Sequence, residues 1–218
     1  RSPILLTPYL TATLIDTEKV KAFIERSYKE AGFAPNDIDT GAVVITGEAL
    51  KKENSRPILE YFSTESGKFI CASAGPMHEA LLAAYGSGAV ALSRHHRNAV
   101  LDVDMGGGTT KISLIRNGEI VQMVAVEVGA RLFAYDGARS ITRVEQPMRS
   151  IAKALDAKVE LGVKLTAKLR EKLAAKLADT LFDVLAGGEQ DPLTQSLMLT
   201  DGLRAERPRD GAGVEERA

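Results

Sequence analysis

The residues best suited to chemistry lie in one short run, Asp104-Met105-Gly106-Gly107-Gly108-Thr109-Thr110. Lacking Cβ atoms, Gly106, Gly107 and Gly108 let backbone N–H groups come up to an anion, and Thr109 and Thr110 add hydroxyl donors. That combination suits a phosphate. Asp104 is placed to hold a magnesium-bound water or to orient an attacking one, because phosphoryl transfer depends on charge neutralisation and positioning more than on covalent help. The plain alternative is a glycine-rich hairpin turn without a ligand. Asp102 shares a strand face with Asp104. It reads equally well as a supporting carboxylate or as a solvated one.

A second candidate is Thr46-Gly47-Glu48, where Glu48 could position water and Gly47 could leave room for a phosphate. A helix start, with Thr46 as cap and Glu48 favoured by the helix dipole, explains the same residues. Gly75-Pro76 reads as a turn before a helix. Gly86-Ser87-Gly88-Ala89 matches a dinucleotide fingerprint only on paper, since it lies inside a helical pattern and follows no strand; close helix packing is the better explanation. His78, His95 and His96 lack metal-site spacing and read as surface imidazoles. Ser66-Gly67-Lys68-Phe69 fails the Walker pattern, and no Gly-x-Ser-x-Gly elbow occurs. Lys164, Lys168, Lys172 and Lys176 read as a solvated stripe opposite a row of leucines.

The elements around the glycine run are legible in part. Ala99–Asp104, Lys111–Arg116 and Ile120–Val128 read as strands, the last two joined by Asn117-Gly118, the strongest short hairpin signal. Upstream, the spacing predicts an edge strand at Ile4–Leu10, limited by Pro8, and a helix from Asp16 to Gly32. Buried strands follow at Ala42–Thr46 and Phe69–Ala72, with a helix over Glu48–Phe62 between them and another from Pro76 towards Leu92. Downstream, helices are predicted at Met148–Leu155 and Thr166–Leu185, the second with Leu169, Leu173, Leu177 and Leu181 inward. This order is α/β, with a new sheet beginning near Ala99.

Composition narrows the class. Of 218 residues, 44% are apolar and 26% charged, and the formal net charge is -1, so no field gathers polyanions and nucleic acid is not an expected partner. A single cysteine, Cys71, excludes an internal disulfide, and no apolar run reaches the roughly 20 residues a membrane crossing needs. The cytoplasm is the expected compartment. Opening at Arg1 without Met, the chain reads as a piece of something longer, and the scarcity of large apolar residues after Leu203 predicts a disordered or truncated end.

Val103 to Thr110, followed by Lys111-Ile112-Ser113-Leu114, resembles the second phosphate motif of actin, the seventy-kilodalton heat-shock chaperones and sugar kinases. Ser2-Pro3-Ile4-Leu5-Leu6-Thr7-Pro8-Tyr9, Asp39-Thr40-Gly41-Ala42-Val43-Val44-Ile45-Thr46-Gly47-Glu48-Ala49 and Gly86-Ser87-Gly88-Ala89 resemble the ethanolamine ammonia-lyase reactivating factor family, EutA. The likeness covers roughly Arg1 to Ala186. It implies an incomplete actin-like (ribonuclease H-like) ATPase fold with parts of two lobes. Residues 1–97 would be a first lobe lacking its opening phosphate hairpin, 98–186 a second lobe with a three-strand meander and helices, and 187–218 a disordered tail. By the same resemblance, Asp104 and Glu48 would be catalytic, and Gly47, Gly106, Gly107, Gly108, Thr109 and Thr110 would bind ATP. Asp104 would hold magnesium. The implied role is to exchange damaged cobalamin for intact cofactor in ethanolamine ammonia-lyase, the fragment alone being inactive. A small-molecule kinase on the same fold and a non-hydrolysing scaffold are the alternatives.

Overall fold

The computed structural model describes residues 1–11, 13–46, 53–54, 69–73 and 75–204. Helix α1 (Thr17–Ala31) begins where Asp16 accepts the Lys19 N–H at 3.1 Å, and ends at Gly32, whose φ of 76° reverses the chain. Strands β1 (Gly41–Ile45) and β2 (Phe69–Ser73) pair in parallel, Gly41 opposite Phe69. The helix expected over Glu48–Phe62 falls almost wholly outside the described residues. The edge strand expected at Ile4–Leu10 does not form. Pro8 has no N–H to give, and the segment makes one isolated bridge, Tyr9 to Ile15, while Ile4 stays 91% exposed.

The helix expected from Pro76 towards Leu92 is two helices, α2 (Pro76–Gly86) and α3 (Ala89–His96). Gly88, at φ 83°, breaks them apart. A Cβ at Gly86 or Gly88 would meet nothing within 4 Å, so neither glycine is required by close packing, and Gly88 alone serves its positive φ. Asp102 accepts the Ser87 hydroxyl at 2.8 Å, which ties the break to the sheet and assigns this carboxylate a structural partner.

Strands β3 (Ala99–Met105), β4 (Thr110–Arg116) and β5 (Glu119–Val126) form the expected antiparallel meander, in that order. Asn117 and Gly118 both take positive φ, 52° and 84°, as a two-residue hairpin of matching twist requires. Strand β4 is central and covered on both faces. On one face Ile115 packs with Ala84, Ala89 and Val90 of α2 and α3. On the other, Ile112, Val124 and Val126 meet Met148 and Ile151 of α4 (Gln146–Ala154), Leu173 and Val184 of α5 (Ala167–Ala186) and Leu197 of α6 (Pro192–Leu197). Helices that precede the expected lobe boundary at residue 98 thus share a core with the sheet that follows it.

Three features differ from the sequence reading. A short hairpin, β6 (Phe133–Tyr135) with β7 (Ile141–Val144), lies between the meander and α4, too brief to show a period. In α5, Thr180 and Val184 are buried beside Leu173, because leucines four apart drift about 40° per step at 3.6 residues per turn. Residues 187–204, expected as part of a disordered tail, are ordered. Asp191 caps α6 by accepting from Leu193 and Thr194, Leu199 N–H donates to Ala125 O, and Leu193, Met198 and Leu203 pack on the core. That burial offsets the segment's ordering entropy.

Candidate functional site

The register of β3 on β4 sets Asp104 opposite Lys111 and Met105 opposite Thr110, leaving residues 106–109 to close the hairpin. Gly106 N–H donates to Thr109 O at 2.9 Å. The carbonyls of Gly106 and Gly107 are claimed from behind, accepting from Ala130 N–H at 3.0 Å and Arg131 N–H at 2.7 Å. Such an approach needs glycine at 129, where a Cβ would stand 2.5 Å from Gly107 O. With those two carbonyls fixed, the N–H groups of Gly107, Gly108 and Thr109 make no hydrogen bond among the described residues. None of the three consecutive glycines has a positive φ, so they are not there for an unusual turn conformation. What they leave is bare backbone.

That backbone lines a cleft of about 320 Å³, near the lower end of the usual size for ligand pockets. Glu79, in the first turn of α2, and Thr46, just past β1, contribute to its wall, together with Leu5 to Thr7 and Tyr9 of the amino-terminal segment. Lys111, Arg131 and Arg143 bring positive charge, Glu79 and Glu145 negative charge, so the lining carries a formal +1. Lys111 is almost fully buried and uses its ammonium twice, 2.6 Å from Glu79 Oε2 and 2.6 Å from Thr109 Oγ1. A buried ammonium needs such partners to offset desolvation. Arg143 lies over the Tyr9 ring at 5.1 Å, and its Nε sits 3.1 Å from Glu145 Oε1, close enough for an ion pair although the angle makes no hydrogen bond.

The candidates from sequence separate into groups. Gly106, Gly107, Gly108 and Thr109 line the cleft. Thr110 does not; it is fully buried and donates its hydroxyl to Val128 O at 2.6 Å, pinning β4 to the chain beyond β5. Asp104 is half-buried, on the same sheet face as Lys111 but outside the cleft lining. Gly47 and Glu48 lie outside the described residues, though Thr46 before them reaches the cleft. Gly75 and Pro76 are the N-cap and first residue of α2. His95 and His96 stack edge to face on an exposed helix end, and no group of three or more potential metal ligands occurs among the described residues. Lys172 donates to Leu155 O at 2.7 Å and Lys176 lies 3.6 Å from Asp191, so half of the lysine stripe fastens helices together.

Sequence reasoning missed Lys111, Glu79, Gly129 and Arg131. Lys111 had a local signal, its place opposite Asp104 once the hairpin is drawn. The others had none, since they reach the turn only through folding.

Comparison with known proteins places this geometry in a lineage. The model of the ethanolamine utilisation protein EutA family matches residues 1–212. The ethanolamine ammonia-lyase reactivase EutA of Salmonella typhimurium is 34% identical over 216 residues, covering 94% of this chain and 44% of that protein. Its namesake in Escherichia coli is 35% identical over 151 residues, covering 69% of this chain and 32% of that protein. The chain therefore spans less than half the length of these relatives. Among solved structures, a Ppx/GppA family member from Aquifex aeolicus is similar with a TM-score of 0.45 and 15% identity, covering 80% of this chain and 48% of that one.

Proposed function

The chain belongs to the ethanolamine utilisation protein EutA family, and on that premise we propose that it supplies the phosphate-receiving turn of a nucleotide-dependent reactivating factor for ethanolamine ammonia-lyase. The observation that carries the reading is the set of amides at Gly107, Gly108 and Thr109. They belong to residues that line a cationic cleft, while the carbonyls of Gly106 and Gly107 are fastened to residues 130 and 131. Oriented N–H donors of this kind bind anionic oxygens at little reorganisation cost.

The chemistry follows from that arrangement. Phosphate oxygens of ATP would accept from the three amides, and Lys111 and Arg131 would carry compensating charge. Magnesium arriving with the nucleotide would neutralise further charge; it needs only one or two protein carboxylates, and Asp104 is the residue proposed to hold it through water. In the two-lobed actin-like frame proposed for the whole protein, closure on ATP would alter the surface offered to the lyase. Nucleotide state would thereby couple to exchange of damaged cobalamin for intact cofactor, provided the lyase binds the two states with different affinity. Gly47 and Glu48 are proposed to approach the same phosphates from beyond Thr46.

Isothermal titration of magnesium-ATP into the chain tests the site, with Asp104→Ala expected to weaken binding only in the presence of magnesium. For a chain of the relatives' full length, cyanocobalamin release from inactivated lyase is expected to follow added ATP; release indifferent to nucleotide would reject the coupling. A second reading, binding without hydrolysis, is favoured by one feature. Glu79 and Glu145, the carboxylates lining the cleft among the described residues, are each held by a cation, so neither is free to act as a base.

A further inference from the structure

Of the cations in the cleft, Lys111 is paired with Glu79 and Arg143 with Glu145. Arg131 differs. It lines the cleft, and its side chain makes no ion pair or hydrogen bond among the described residues. Its backbone, by contrast, is fastened on both sides: its N–H donates to Gly107 O at 2.7 Å, and its carbonyl accepts from Arg143 Nη2 at 3.3 Å. A Cβ built on Gly107 would stand 3.9 Å from Arg131 Cβ, so this side chain leaves the backbone directly beside the turn. The result is a guanidinium anchored to the element that presents the unpaired amides.

We infer that Arg131 is a phosphate-binding residue of this cleft, closing on the same oxygens that the amides of Gly107, Gly108 and Thr109 receive. The inference rests on the proposal that the turn binds a nucleotide's phosphates. A guanidinium presents planar paired donors that fit phosphate oxygens, and an unpaired one loses no existing partner on binding. Lys111 would have to leave Glu79 to offer the same charge. Arg143 acts behind Arg131 as a positioning residue, through the carbonyl it holds.

The test is titration of magnesium-ATP and of sodium tripolyphosphate into the 218-residue chain and its Arg131→Gln and Arg131→Lys variants. Arg131→Gln is expected to weaken both ligands about ten- to hundredfold, as loss of a charge-assisted contact does. Arg131→Lys should recover part of the loss, because it restores charge without the planar fork. Thermal unfolding without ligand should not change, since the backbone bonds at residue 131 do not depend on the side chain. If the unsubstituted chain binds and Arg131→Gln binds within twofold of it, Arg131 is not a phosphate ligand and the turn proposal survives. If the unsubstituted chain takes up neither ligand, the nucleotide reading falls and this inference with it.

Discussion

Replacing Gly129 by alanine tests whether the turn is shaped by the chain behind it. A Cβ at that position would lie 2.5 Å from Gly107 O and 2.6 Å from both Gly107 C and Gly108 C. These are backbone atoms, so no rotamer change relieves the overlap. Reaching ordinary contact near 3.4 Å requires a displacement of 0.9 Å from the carbonyl oxygen (3.4 − 2.5). Such a shift would disrupt the bonds from Ala130 N–H and Arg131 N–H, now 3.0 Å and 2.7 Å long. Overpacking costs about 1–3 kcal/mol, and each of the two hydrogen bonds contributes about 0.5–1.5 kcal/mol net, so a loss of roughly 2–6 kcal/mol is expected. For a chain of this size that lowers the melting temperature by about 4–24 °C. Thermal unfolding followed by circular dichroism measures it, and titration with magnesium-ATP should show weaker binding by the Gly129→Ala variant well below its melting range. Gly137→Ala is the control, because nothing lies within 4 Å of a Cβ there and φ is not positive. Equal melting temperatures for the two variants would refute the close approach.

Glu79→Gln would leave the Lys111 ammonium buried without its counter-charge, and breaking such a pair is expected to cost about 3–5 kcal/mol, read by urea unfolding. The double variant Glu79→Gln, Lys111→Met should recover much of that loss, since removing both partners removes the uncompensated charge. At the other end, the backbone N–H of Thr194 holds the Asp191 carboxyl below its ordinary pKa, with smaller help from Leu193 and Lys176 against the opposing effect of burial. A depressed folded-state pKa means this cap stabilises above the unfolded value near 3.8 and is lost as pH falls through the lower folded value. Amide exchange at Leu193 and Thr194, corrected for its intrinsic pH dependence, should therefore lose protection below about pH 4, and Asp191→Asn should remove that pH step.

The hairpin at the candidate site was legible because its signals are local. Three consecutive glycines between a strand ending in Asp104 and an alternating run from Lys111 mark a hairpin with exposed amides, and Asn117-Gly118 marks the next turn through a backbone requirement that few residues meet. The caps at Asp16 and Gly32 likewise announce α1 without help from the rest of the chain.

What folding alone decided was which groups meet. Thr109 and Thr110 are adjacent and chemically alike, yet Thr109, in the turn, lines the cleft and Thr110, the first residue of β4, is sealed against Val128, a difference that only packing decides. Glu79 reaches Lys111 across a helix–sheet contact, and Gly129 and Arg131 reach the turn across β4 and β5. Leu193, Leu197, Met198 and Leu203 bring residues 187–204 onto the core. Local patterns record what a residue's own backbone and nearest neighbours demand; partners distant in sequence are chosen by the burial of the whole.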